Sequence, residues 1–195
     1  MGRAEINKQQ KQQSLMDNAF ELFTNKGIAR TSISDIVEKA GMAKGTFYLY
    51  FRDKYDLQEK LIAHKAKQLF QHALTESGYE KLTTPTDKIL SIMNDILSQL
   101  NQNQLLLRFI NKNLSWGVFK KAMVRSELDL IPVFDSIFGN SFDQQKLEIL
   151  LYTIIELIGS TSYSVILDND PVDFETYRPW LNRAVRAVLN TFSDD

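Results

Sequence analysis

RTSISDIVEKAGMAKGTFYLYFRDKYDL, residues 30–57, is the stretch on which the fold turns. Ser32 stands ahead of an apolar set at Ile33, Ile36, Val37 and Ala40, with Asp35 three residues on. That is capping-box spacing: the Ser hydroxyl accepts from the backbone N–H ahead while the acidic side chain reaches back. A short helix therefore starts at Ser32, and Gly41, free to take left-handed backbone angles, ends it. After the turn GMA a second short helix runs from about Ala43 to Tyr50. Two short helices joined by about three to four residues that include Gly match a helix-turn-helix, whose second helix reads the DNA major groove.

The second helix carries Phe47, Tyr48, Leu49, Tyr50 and Phe51 in a row, more bulk than one neighbour can bury. At about 100° per residue these side chains separate into rows. Phe47 and Phe51 share one row, Thr46 and Tyr50 a second, Lys44 and Tyr48 a third, and Gly45 and Leu49 the fourth. If Phe47 and Phe51 lock the helix to its neighbours, the opposite edge is thin at Gly45, and its shoulders carry hydroxyls, phenols and an ammonium. A groove about 12 Å wide admits such a helix, with Lys, Thr and Tyr reaching the phosphates on its walls. The competing reading is an aromatic core helix with its phenols at the surface; it leaves the Gly45/Leu49 row and the capped helix and turn unexplained.

Outward from this segment, helical periodicity continues almost everywhere and strand alternation nowhere. Leu15, Ala19, Leu22 and Phe23 form the stripe of a helix from about Gln9 to Lys26, closed by Gly27. Asp53 reads as the N-cap of a longer helix carrying Leu57, Leu61, Ile62, Leu69 and Phe70. TESGYEKLTTPT, 75–86, breaks the pattern and marks a boundary. Beyond it Ile89, Ile92, Met93, Ile96, Leu97 and Leu100 hold a helical stripe, less regular helices cover about 103–114 and 117–138, and two strong helices span about 143–167 and 173–192. The breadth of apolar surface on the last pair implies burial on more than one side.

The chain of 195 residues, 44% hydrophobic, is long enough for a real core. Its net charge of -1 hides a split: residues 1–72 carry +4 and residues 73–195 carry -5, an asymmetry that points to a polyanion partner at the N-terminal end. With no cysteine, disulfides and thiolate catalysis are excluded. No run reaches the roughly 18 uninterrupted apolar residues of a membrane span, and MGRAEINKQQ lacks a signal-peptide core, so the expected location is the cytoplasm, with no membrane partner.

Residues 30–57 resemble the DNA-binding signature of the TetR/AcrR family of transcriptional regulators. The matching features are Thr31 and Ser32, Ile33, Ile36-Val37, Ala40-Gly41, Lys44-Gly45, Phe47-Tyr48, Tyr50-Phe51 and Lys54; with the preceding helix the match covers about 9–60. Met42 and Ala43 depart from the usual Val and Ser. The resemblance implies an all-α homodimer with an N-terminal three-helix helix-turn-helix unit over 1–55. Helix 4, about 54–75, connects it to a ligand-binding and dimerisation domain over 76–195. It places Lys44, Gly45, Thr46 and Tyr48 at the groove, Tyr50 and Lys54 on phosphates, and Ser32 and Ser34 at the phosphate-facing start of the second helix. The helices at 143–167 and 173–192 would pair with their symmetry mates; their burying one another within a monomer is the alternative.

The function this implies is a repressor that binds a palindromic operator in double-stranded DNA as a dimer and is released by an apolar or aromatic small molecule. Met93, Phe109, Trp116, Phe119 and Tyr163 are candidates to line its cavity, and GSTSYS, 159–164, would offer polar handles or close helix packing. A rival reading keeps the DNA-binding unit and gives the C-terminal domain a protein partner. His64 and His72, eight apart, lack metal-ligand spacing. No phosphate loop, HExxH pair or nucleophile elbow is present, so no cofactor, metal or enzymatic activity is expected.

Overall fold

The computed structural model describes residues 2–111, 131–139 and 144–193. Among them every regular element is helical. The chain divides into two compact units, Met1–His64 and Lys65–Asp195, the division falling inside helix α4.

The first unit holds α1 (Arg3–Lys26), α2 (Ile33–Lys39), α3 (Lys44–Tyr48) and the start of α4 (Lys54–Glu76). The α1 stripe is buried at Leu15, Ala19 and Phe23, joined by Ile36 and Val37 from α2 and by Leu57 and Leu61 from α4. Phe47 and Phe51 complete this core at 0% and 1% exposure. Each such ring contributes about 1.5–3 kcal/mol by leaving water. The row projected inward from the sequence is the buried one.

Both ends of α2 are closed by local chemistry. Ser32 Oγ accepts from the Asp35 N–H at 3.1 Å, and Asp35 Oδ2 accepts from the Ser32 N–H at 2.8 Å. At the other end Gly41 takes φ +64°, its N–H donates to the Glu38 carbonyl, and the Met42 N–H donates to the Val37 carbonyl at 2.8 Å. These paired bonds form a Schellman motif, which is why glycine stands there. Helix α3 is shorter than the expected 43–50. After Tyr48 the winding tightens, with Leu49 N–H to Thr46 O and Tyr50 N–H to Phe47 O, three residues back in each case.

The second unit contains the rest of α4, a short 3₁₀ turn (Tyr79–Lys81), α5 (Pro85–Gln102), α6 (Gln104–Asn111), α7 (Ile131–Phe138), α8 (Gln144–Asp168) and α9 (Phe174–Ser193). The last two lie within a residue of the expected bounds, whereas 112–130, including most of the expected 117–138 helix, lies outside the described residues. Thr84 caps α5 and Pro85 takes its first turn, where the missing N–H costs nothing. Helix α9 packs on α8 and α5, and α6 packs on α8 and α5; Arg186 binds Asp87 at 2.8 Å. By length and mean hydropathy (1.5) α8 is apolar enough to cross a membrane. A third (33%) of its most apolar stretch is buried within the structure, and it packs against α6 and α9.

Candidate functional site

Three buried or capped features fix α3: the Schellman turn before it, the Phe47 and Phe51 anchors beneath it, and Lys60 behind it. Lys60 Nζ donates to the Tyr50 carbonyl at 3.0 Å, pairs with Asp56 at 3.2 Å and sits 5.2 Å from the Phe51 ring centre. A cation there meets the carbonyl end of the α3 turn, where the peptide dipoles favour it. With its inner row pinned, α3 holds its other rows at the surface. Lys44, Gly45 and Tyr48 are exposed, Thr46 and Tyr50 half-buried, and Leu49 is 77% exposed. A Cβ built on Gly45 would meet nothing within 4 Å, so nothing inside the unit explains the missing side chain there.

Ser32 and Ser34 are both exposed at the start of α2, with Ser32 Oγ already engaged as the cap. Lys26 reaches Asp35 at 2.8 Å. That bond, followed by the Ser32 backbone N–H and hydroxyl, lowers the Asp35 carboxyl from 3.8 to about 2. The surface beside the α2 start is thus held by an ion pair rather than by free charge.

Lys54 is engaged within the unit: its ammonium donates to the carbonyls of Ile28 at 2.8 Å, Ala29 at 3.3 Å and Thr31 at 2.9 Å. The loop after α1 leaves carbonyls without helical partners, and an ammonium with three donors satisfies them. Thr31 was singled out only for its place at the start of α2, yet it is 1% exposed, its hydroxyl donating to the Gly27 carbonyl at 2.9 Å. Both groups tie the same loop, and no local spacing in the sequence announces either.

The second unit holds a partly open cavity of about 350 Å³. All six apolar residues of the α5 stripe, Ile89 through Leu100, lie on its wall, opposite Leu150, Ile154, Ile158 and others from α8. Of the aromatic and Met candidates, Met93 is on the wall. Phe109 and Tyr163 are not: on α6 the wall is made by Leu107 and Ile110, and on α8 by Gly159, Ser160 and Ser162. Two positions from Leu107, Phe109 is turned by about 200° to another side. Trp116 and Phe119 lie outside the described residues. Among the described residues no group of His, Asp and Glu is placed to hold a metal ion.

The profile of the bacterial regulatory proteins, tetR family, matches residues 15–61, the capped helix, turn and α3 included. The first unit carries a TetR-family DNA-binding region. Among curated relatives, the uncharacterized HTH-type transcriptional regulator YvdT of Bacillus subtilis (strain 168) is 44% identical over 66 residues, covering 34% of this chain and 32% of that protein. The chain thus spans about a third of that relative's length. A TetR-family regulator of Vibrio parahaemolyticus superposes with a TM-score of 0.64 at 20% identity, over 91% of this chain and 97% of that one. FadR of Bacillus subtilis, solved in complex with stearoyl-CoA, superposes with a TM-score of 0.58 at 18% identity, over 90% and 98%. These likenesses extend the TetR fold through the second unit. They leave the contents of the cavity to this chain's own residues.

Proposed function

We propose that the protein is a transcriptional regulator that binds double-stranded DNA through α3 and is switched by a small apolar molecule in the second unit. The observation that carries the DNA-binding part is the division of α3, with Phe47 and Phe51 buried and Lys44, Gly45, Tyr48 and Leu49 exposed. A bare glycine at the leading end permits close backbone approach to the groove, and Lys44, Thr46, Tyr48 and Tyr50 supply phosphate and base-edge contacts. Lys54 serves this surface indirectly, by holding the loop between α1 and α2.

Two copies pair through α8 and α9, which expose Ile149, Tyr152 and Trp180. The paired reading helices then address the half-sites of a palindrome about 10 base pairs or a multiple apart. The protein acts as a repressor, and the effector releases it from its operator. The cavity favours a small-molecule effector over a protein partner, since a solid second unit would leave a ligand no room. The test is selection of bound sequences from random DNA, followed by gel shifts. A palindromic consensus bound by the full chain, and lost in Tyr48→Ala, is expected; binding without sequence preference, or unaffected by Tyr48→Ala, overturns the groove assignment.

A further inference from the structure

The stretch GSTSYS, 159–164, left two readings open, close packing or polar handles, and the structure gives two observations that separate them. The first is Gly159. It lies on the cavity wall, and a Cβ built on it would meet nothing within 4 Å. A glycine kept for close helix packing would have a neighbour at that distance; this one opens onto space. The second is Ser162. It is 3% exposed and on the same wall, and its Oγ has no hydrogen-bond partner among the described residues. Its neighbours behave otherwise. Ser160 Oγ donates to the Glu156 carbonyl at 2.8 Å and Thr161 Oγ1 to the Leu157 carbonyl at 2.6 Å, each one turn back. A buried hydroxyl without a partner is costly, and natural proteins rarely leave one unless something else satisfies it.

From these observations we infer that the cavity takes an uncharged amphiphile, a hydrocarbon or ring body bearing one neutral hydrogen-bonding group such as an alcohol. The neutral group pairs with Ser162 Oγ and the body fills the space in front of Gly159. The volume sets the size. At about 30 Å³ for each water-sized group, 350 Å³ holds roughly a dozen non-hydrogen atoms. The wall sets the charge. Its apolar side chains offer a buried ion no counter-charge; Glu156, the charged member of the described wall, is solvent-exposed, so its screened charge does not replace the water a buried ammonium gives up, and it is of the wrong sign for a carboxylate. The inference rests on the reading of the second unit as an effector domain, and it separates this chain from an acyl-CoA binder by the ligand's head.

The experiment is calorimetric titration of the full chain with three probes sharing one tail: 1-decanol, decanoate and decylammonium, at neutral pH. Decanol is expected to bind saturably and at least about tenfold more tightly than either ion. Ser162→Ala should weaken decanol about three- to tenfold, Gly159→Leu should abolish its binding, and Glu156→Gln should narrow the gap between decanol and decanoate. Gly159→Ala, which adds a methyl group where there is room, serves as the folding control, its thermal midpoint matching or exceeding that of the parent. Decanoate or decylammonium binding as tightly as decanol overturns the inference. So does decanol affinity unchanged in Gly159→Leu. Gel shifts with the selected operator keep the two readings apart. Decanol that binds through Ser162 without releasing DNA sinks the release mechanism and leaves the ligand class standing; decanol that fails to bind sinks the ligand class and leaves the DNA-binding assignment standing.

Discussion

The ammonium of Lys54 donates to the carbonyl of Ile28, 26 residues earlier in the chain, at 2.8 Å. With the Ala29 and Thr31 carbonyls it makes a clasp that closes the loop leading into α2. Lys54→Met should therefore destabilise the first unit by about 2–3 kcal/mol, since hydrogen bonds from a charged donor contribute about 1.5–3 each and partial exposure reduces their sum. Lys54→Arg should not restore it, because a planar fork does not fit the position of a compact ammonium. Urea unfolding of the two variants checks both statements.

Lys44 makes the opposite prediction. It is exposed at the start of α3, so Lys44→Ala should leave stability within about 0.5 kcal/mol. Operator affinity should fall, and the slope of log affinity against log salt should shrink by about 1, the loss of one phosphate contact. Filter binding at several salt concentrations measures the slope. An unchanged slope would remove Lys44 from the phosphate contacts.

At Gly45 stability and binding should move in opposite directions. The backbone there is helical and the space beside it is open, so Gly45→Ala should stabilise the unit by up to about 1 kcal/mol. The same methyl group would stand between α3 and the floor of the groove. A rise in thermal midpoint together with weaker operator binding is the expected pair of results.

The N-terminal cap of α2 carries a pH dependence. Asp35 has its carboxyl lowered from 3.8 to about 2, first by Lys26 and then by the Ser32 backbone and hydroxyl. The folded state holds its proton less tightly than the unfolded chain does. The stabilisation is therefore complete above pH about 4 and is lost as the pH falls toward 2. In Lys26→Met the folded-state value moves back toward 3.8, so the loss between about pH 5 and 2 should be smaller and end at a higher pH, which a series of thermal melts over that range would show. Ser32→Ala should cost about 1 kcal/mol at neutral pH by removing the cap itself.

Much of the first unit was legible because its signals are local. The Ser32/Asp35 spacing, the glycine at 41 and the separation of Phe47 and Phe51 from Tyr48 and Leu49 each follow from a helix period and a few bonds between near neighbours. The internal bonds of Lys54 were not legible for a reason of the same kind. Its partners lie on a loop distant in sequence, and an ammonium at the start of a helix looks alike whether it faces a phosphate or a row of carbonyls. In the second unit the α5 stripe was legible as an apolar face. Its use as a cavity wall was not, because a stripe carries no record of how completely the opposite helices fill the space before it. The preference for large rings as ligand contacts chose Phe109 and Tyr163, whereas the wall uses the small residues beside them, Gly159 and Ser162.

Leu49 is an apolar side chain left 77% exposed next to an exposed Tyr48, and this gives the DNA complex a thermal signature. A surface of charges alone would bind by releasing counterions, with little change in heat capacity. Covering Leu49 and the Tyr48 ring removes apolar area from water, so association should carry a negative heat-capacity change. Leu49→Ala should make that change smaller, and part of the protein's affinity for DNA should persist at salt concentrations that silence its lysines.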